Sequence, residues 1–231
     1  MKKLPTPTEL RKIVGDFNNK TALQHHRFAS FDMCYNYFLR HKECLIDDME
    51  KSCCVLWSYL GSWGMLRGSS FLLQDKNPSF FEDLIRYIQN DCQDVFDIDV
   101  DNYVDNGIIE RIIEVYKKIY LLLGGDTTTP SSTLVTKIML GVFGCITAFD
   151  QFFCETLGDL MPGTGIKSKI VSKNSLKAIY DFYKNDSLKG VIDEYSEKIK
   201  VANIFGADDL IFDYPKAKII DMYGFNKGVI K

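Results

Sequence analysis

Apolar residues return every three or four positions along almost the whole chain, a period that specifies amphipathic helices and leaves little room for strands. Leu10, Ile13, Val14 and Phe17 share one helical face. Ahead of them, Thr6-Pro7-Thr8-Glu9 supplies an N-cap, a proline for the first helical position and a capping-box glutamate. This predicts a helix from about Pro7 to Asn18. The same logic places a helix behind Ser30, with Phe31, Cys34, Tyr35 and Phe38 on one face, and another behind Asp47-Asp48 that reaches Met65 or Leu66. Further helices are expected after Asn77-Pro78 and Asn106-Gly107, over Leu134 to Val142, Ile146 to Leu157, Asn174 to Lys184 and Asp186 to Lys200, with a packing helix around Ile219 to Phe225. Only Lys169 to Ser172 and Leu210 to Phe212 hint at strands. The reading is an all-α protein of about nine helices, folded as a single unit over residues 1–231 without internal repeats. Its least cohesive junction is 158–173, where Pro162, Gly163 and Gly165 interrupt the pattern.

Composition closes off several classes. In 231 residues, 46% are hydrophobic and 13% aromatic, enough to fill a packed interior rather than to remain disordered. The longest apolar run, Leu134 to Phe149, is broken by Lys137, Gly141, Gly144 and Thr147, so no stretch is fit to span a bilayer, and no membrane partner is expected. Met1-Lys2-Lys3-Leu4-Pro5 lacks the apolar core of a secretory signal, which points to the cytoplasm. Seven cysteines without a C-x-x-C pair read as small buried hydrophobes, and His25, His26 and His41 lie far from any cysteine pair, so neither a metal nor a cofactor is expected. A net charge of -3 argues against coating nucleic acid by bulk charge and permits a local basic groove.

Several segments invite a chemical reading. Asp97-x-Asp99-x-Asp101 begins like an EF-hand loop, but the sixth position is Asn102 and the twelfth Ile108, where a glycine and a glutamate are required, so a solvated acidic loop is the better reading. Gly163-Thr164-Gly165-Ile166-Lys167-Ser168-Lys169 combines flexible backbone with two lysines; Lys167 and Lys169 are candidate phosphate contacts on a basic surface turn. Trp63 and Arg67, four apart on an expected helix, form a face able to stack on a base and hold a phosphate, or a tight helix–helix contact.

The most informative stretch is Thr136-Lys137-Ile138-Met139-Leu140-Gly141-Val142-Phe143-Gly144-Cys145-Ile146-Thr147-Ala148-Phe149-Asp150-Gln151-Phe152-Phe153. Lys137 and Asp150 interrupt otherwise apolar surfaces, where an unpaired polar group is costly, so each requires a partner or a cleft. Their mutual pairing is the structural reading. The chemical one comes from resemblance: residues 133–153 resemble the helix-hairpin-helix DNA glycosylase superfamily, in which a Thr-Lys or Ser-Lys helix, a short turn and a following segment place an aspartate at a helix start. Thr129-Pro130-Ser131-Ser132-Thr133-Leu134 stands where that family has its Leu-Pro-Gly-Val-Gly hairpin.

The resemblance implies a two-lobed helical architecture with a cleft between the lobes, and hydrolysis of the N-glycosidic bond of a damaged or modified base flipped out of duplex DNA. Asp150 and Lys137 would be catalytic, while Trp63, Arg67, Lys167 and Lys169 would contact base and backbone. A carboxylate beside the sugar stabilises the oxocarbenium-like state of such a reaction. The alternative is a non-enzymatic helical module that binds nucleic acid or protein, with Lys137 and Asp150 as a buried pair. The two differ in one structural requirement, an open cleft over Asp150.

Overall fold

The computed structural model describes residues 3–21, 25–125, 129–205 and 211–230. Among them are eleven α-helices rather than nine, and no strand. They are α1 (Pro7–Thr21), α2 (Ser30–His41), α3 (Met49–Ser62), α4 (Phe71–Asp75), α5 (Glu82–Asp91), α6 (Asn106–Leu122), α7 (Ser132–Phe143), α8 (Gln151–Leu160), α9 (Lys173–Tyr183), α10 (Asp186–Lys198) and α11 (Lys216–Ile230). Five short 3₁₀ turns join them, and no helix is long and apolar enough to cross a membrane. The strand expected at Lys169 to Ser172 is instead a turn leading into α9; of the second, Leu210 lies outside the described residues and Phe212 is irregular. The only pairing of extended chain among the described residues is a single bridge between Lys200 and Asp213.

Local chemistry sets most helix starts. Thr6 Oγ1 accepts from Glu9 N–H, Asp48 caps α3 through Lys51 N–H, Asp105 caps α6, and Ser172 with Ser175 forms a capping box on α9. Ser30 does not cap α2: it is the helix's first residue, and its hydroxyl has no partner. Asp99 acts at longer range. Its carboxylate accepts from Lys216 N–H at 2.6 Å and Ala217 N–H at 2.9 Å, holding the start of α11, and burial pushes it up to about 6. The acidic run thus anchors a helix, and no group of three His, Cys, Asp or Glu side chains suited to a metal occurs among the described residues. Five cysteines are buried as expected, while Cys44 and Cys54 are exposed.

One hydrophobic cluster draws residues from nearly every helix. At its centre α11 packs most extensively on α8, with α1 and α10 against its other sides, while α7 is covered by α2, α3 and α6. The buried junction of α7, α8 and α11 is where the candidate residues meet.

Candidate functional site

The helix α7 opens at Ser131, which accepts from Leu134 N–H, and closes at Gly144, whose φ of +69° is the left-handed C-cap expected of glycine. The second apolar helix does not begin at Ile146. Residues Cys145–Phe149 form a wholly buried loop, and α8 starts only after Asp150. A buried loop is stable only if its peptide groups find partners. Here side chains supply them: Thr136 Oγ1 accepts from Phe149 N–H at 2.9 Å, Thr133 donates to Phe149 C=O at 2.8 Å, Asp221 accepts from Ala148 N–H at 3.0 Å, and Tyr103 donates to Cys145 C=O.

That loop delivers Asp150 to the N-cap of α8, where Oδ1 accepts from Phe153 N–H at 3.0 Å and Oδ2 lies 3.3 Å from Lys137 Nζ. The pair predicted from the sequence therefore forms. A second pair stands beside it: Lys218 Nζ and Asp221 Oδ2 are 2.8 Å apart, their side chains 2% and 3% exposed. Trp63 unites the two, with Lys137 Nζ at 4.7 Å and Lys218 Nζ at 4.4 Å from its ring. Lys218 also lies over Phe31 and Phe17, and Tyr59 donates to Lys137 C=O at 3.0 Å. Four charges of zero sum thus share one apolar chamber. Burial lowers the pKa of Lys137, opposed by Asp150 and Asp221 and assisted by Lys218.

The chamber is closed, so among the described residues the open cleft over Asp150 that the glycosylase reading requires is not present, and Asp150 is instead buried against Lys137. Asp150 is 7% exposed, and none of the four principal cavities reaches it or Lys137. Trp63 is buried too, its ring stacked by Phe28 at 4.7 Å and met edge-on by Phe225 at 5.7 Å, while its Nε1 has no partner. The position expected to hold a base is filled by Phe28. Comparison with family models, curated proteins and solved structures gives no match to this chain.

The remaining candidates are dispersed. α3 ends at Ser62 rather than at Met65 or Leu66, and Gly64 at φ +76° turns the chain away. Trp63 and Arg67 consequently share no helical face: Trp63 points inward, and Arg67 is exposed and folds over Gly64. Lys167 pairs with Asp159 at 2.7 Å near the far end of α8, which rises about 15 Å from Asp150, and Lys169 takes a left-handed turn at φ +57°. Gly163, Gly165 and Lys167 line a depression of about 600 Å³ that does not join the chamber.

The sequence reading assigned no chemistry to Lys218 and Asp221, or to Asp32. The signal was present: Lys218 and Asp221 interrupt Ile219-Ile220 and Met222-Tyr223 much as Lys137 interrupts α7. Asp32 is buried, accepts from the Tyr214 hydroxyl, and is pushed up to about 7 by burial, partly opposed by Tyr214 and Lys218. Its unfolded value lies near 4, so the folded state holds the extra proton between those limits. The stability this confers is complete below about pH 4 and is lost as the pH rises toward 7. The difference in unfolding free energy between wild type and Asp32→Asn is expected to shift by about 2 kcal/mol between pH 5.5 and 7. Chemical denaturation at the two pH values measures it; a constant difference would mean that Asp32 titrates alike folded and unfolded.

Proposed function

We propose that this chain is a DNA glycosylase that hydrolyses the bond between a damaged or modified base and its deoxyribose. The observation that supports the reading is the place of Asp150 at the N-cap of α8, across a turn from the lysine-bearing helix α7, as in the family that residues 133–153 resemble; its burial against Lys137 does not meet the requirement of an open cleft and supports the second reading below. Asp150 is the carboxylate that faces the positive charge developing on the sugar, oriented at the start of α8 by the bond it accepts from Phe153 N–H. Lys137 holds that carboxylate in place. The reading requires a flipped base to displace Phe28, which the short 3₁₀ turn Arg27–Ala29 holds on the face of Trp63.

The test is base release from a panel of genomic, phage and chemically damaged DNAs, with freed bases identified by mass spectrometry, for wild type and Asp150→Asn. Asparagine retains the N-cap of α8, so loss of activity is separable from loss of fold by a melting curve. A base freed by wild type alone supports the reading and names the substrate. Burial of the pair favours a second reading, a non-enzymatic helical protein that binds nucleic acid or a protein partner, and a folded protein that frees no base from any DNA selects it.

A further inference from the structure

Two cavities lie side by side along the outer seam of α2 and α3. The first, about 610 Å³, is lined by Asp32 and Met33 of α2, Ser58 and Ser62 of α3, and by Arg27 and Lys200. The second, about 400 Å³, is lined by Asn36, Arg40 and His41 of α2, with Lys51 and Val55 of α3. Met33, Ile204 and Phe205 border both, so the two make one continuous trough. Lys51, Val55, Ser58 and Ser62 fall on one face of α3, which makes that wall about 16 Å long.

The chemistry of this trough is one-sided. Arg27, Arg40 and Lys51 line it, together with Lys200, which is paired with Asp213, and with His25, His26 and His41 beside them; among the described residues Asp32 is the only carboxylate of the two linings. In a chain of net charge -3 this lining has a local excess of cations over carboxylates, which suits a polyanion. Two further features call for a ligand with polar edges and flat faces. Asn36 is 5% exposed, its Oδ1 is taken by Arg40 Nε at 2.6 Å, and its Nδ2 has no partner, a buried donor that costs stability until something accepts from it. Phe205, 86% exposed, borders both cavities with an uncovered ring.

We infer that the α2–α3 trough binds a single strand of DNA about three to four nucleotides long, its phosphates held by Arg27, Arg40 and Lys51, one base stacked on Phe205 and another accepting from Asn36. Aromatic rings beside a basic groove bind single strands by stacking, and phosphates by charge, without a required sequence. This strand path differs from the Lys167 and Lys169 contacts expected from the sequence, and it needs no bond cleavage, so it stands or falls apart from the glycosylase reading.

The test is fluorescence anisotropy of a labelled twelve-nucleotide oligo(dT) with the full chain across a salt series, with a duplex of the same length and polyglutamate as comparisons. Wild type is expected to prefer the single strand. Lys51→Ala is expected to weaken binding about fivefold at low salt and to reduce the salt slope by about 0.7, the share of one phosphate contact. Phe205→Ala, exposed enough to leave the fold untouched, is expected to weaken it about tenfold with an unchanged slope. A control, Lys167→Ala, is expected to bind as wild type does. The inference is overturned by absence of binding, by equal binding of duplex, by displacement with polyglutamate as readily as with unlabelled oligo(dT), or by variants of the trough that bind like wild type. If binding holds and no base is ever released, the trough stands and the glycosylase reading falls.

Discussion

Asp221→Ala is expected to lower the unfolding free energy by about 4–8 kcal/mol, a large part of the stability of an ordinary domain, and the melting temperature by roughly 10–30 °C. Two losses combine. Lys218 would remain as a buried ammonium group with its partner 2.8 Å away removed, and breaking one side of a buried pair costs about 3–5 kcal/mol. Ala148 N–H, bonded to Asp221 at 3.0 Å in the buried loop, would be orphaned, at about 1–3 kcal/mol. Thermal and denaturant melts of Asp221→Ala give the first number. The double variant Lys218→Met with Asp221→Leu tests the cause, since an apolar pair of similar volume removes the uncompensated charge and is expected to restore most of the loss, leaving only the Ala148 term. A single variant that costs less than about 1 kcal/mol would show that water reaches Lys218 and that the chamber is not sealed.

The contrast between what was and was not legible in the sequence follows the range of the interactions involved. Helix starts at Pro7 and Met49 depend on side chains within three residues of the cap, and the sequence displays them directly. Residues Ile146–Phe149 of the buried loop fit the helical period, and the sequence therefore places a helix there; their true partners, Thr133, Thr136 and Asp221, are up to 73 residues distant. The early end of α3 was hidden likewise, for nothing local distinguishes Gly64 as a left-handed residue from the tolerated glycine at position 61. Lys137 and Asp150 were identified because a charge on an apolar surface demands an explanation. That rule, applied evenly, also selects Lys218 and Asp221, whereas the trough draws its walls from α2, α3 and the segment 199–205 and has no motif of its own.

Gly144→Ala is expected to destabilise the fold by about 2–5 kcal/mol, the sum of two separable terms. Its φ of +69° is costly for a side-chain-bearing residue, about 1–2 kcal/mol. The added Cβ would also lie 2.5 Å from Pro215 Cγ and 2.9 Å from Tyr35 Cε2, and such overpacking costs about 1–3 kcal/mol. Gly141→Ala isolates the second term. Gly141 is helical, so its added Cβ meets only crowding, 2.4 Å from Cε1 of Tyr59, the ring whose hydroxyl donates to Lys137 C=O. Melting both variants beside wild type should place Gly144→Ala below Gly141→Ala by about the left-handed term. Gly144 also sets the direction in which the buried loop leaves α7, and Asp150 stands at the loop's other end. Under the proposed chemistry, Gly144→Ala should therefore reduce base release at temperatures where the protein is still folded, while Gly141→Ala, which moves Tyr59 rather than the loop, should retain more of it. A near-native melting temperature for Gly144→Ala would mean that Pro215, just ahead of α11, yields to the new methyl group, and that Asp221 and Thr136, rather than the turn at Gly144, fix where Asp150 meets Lys137.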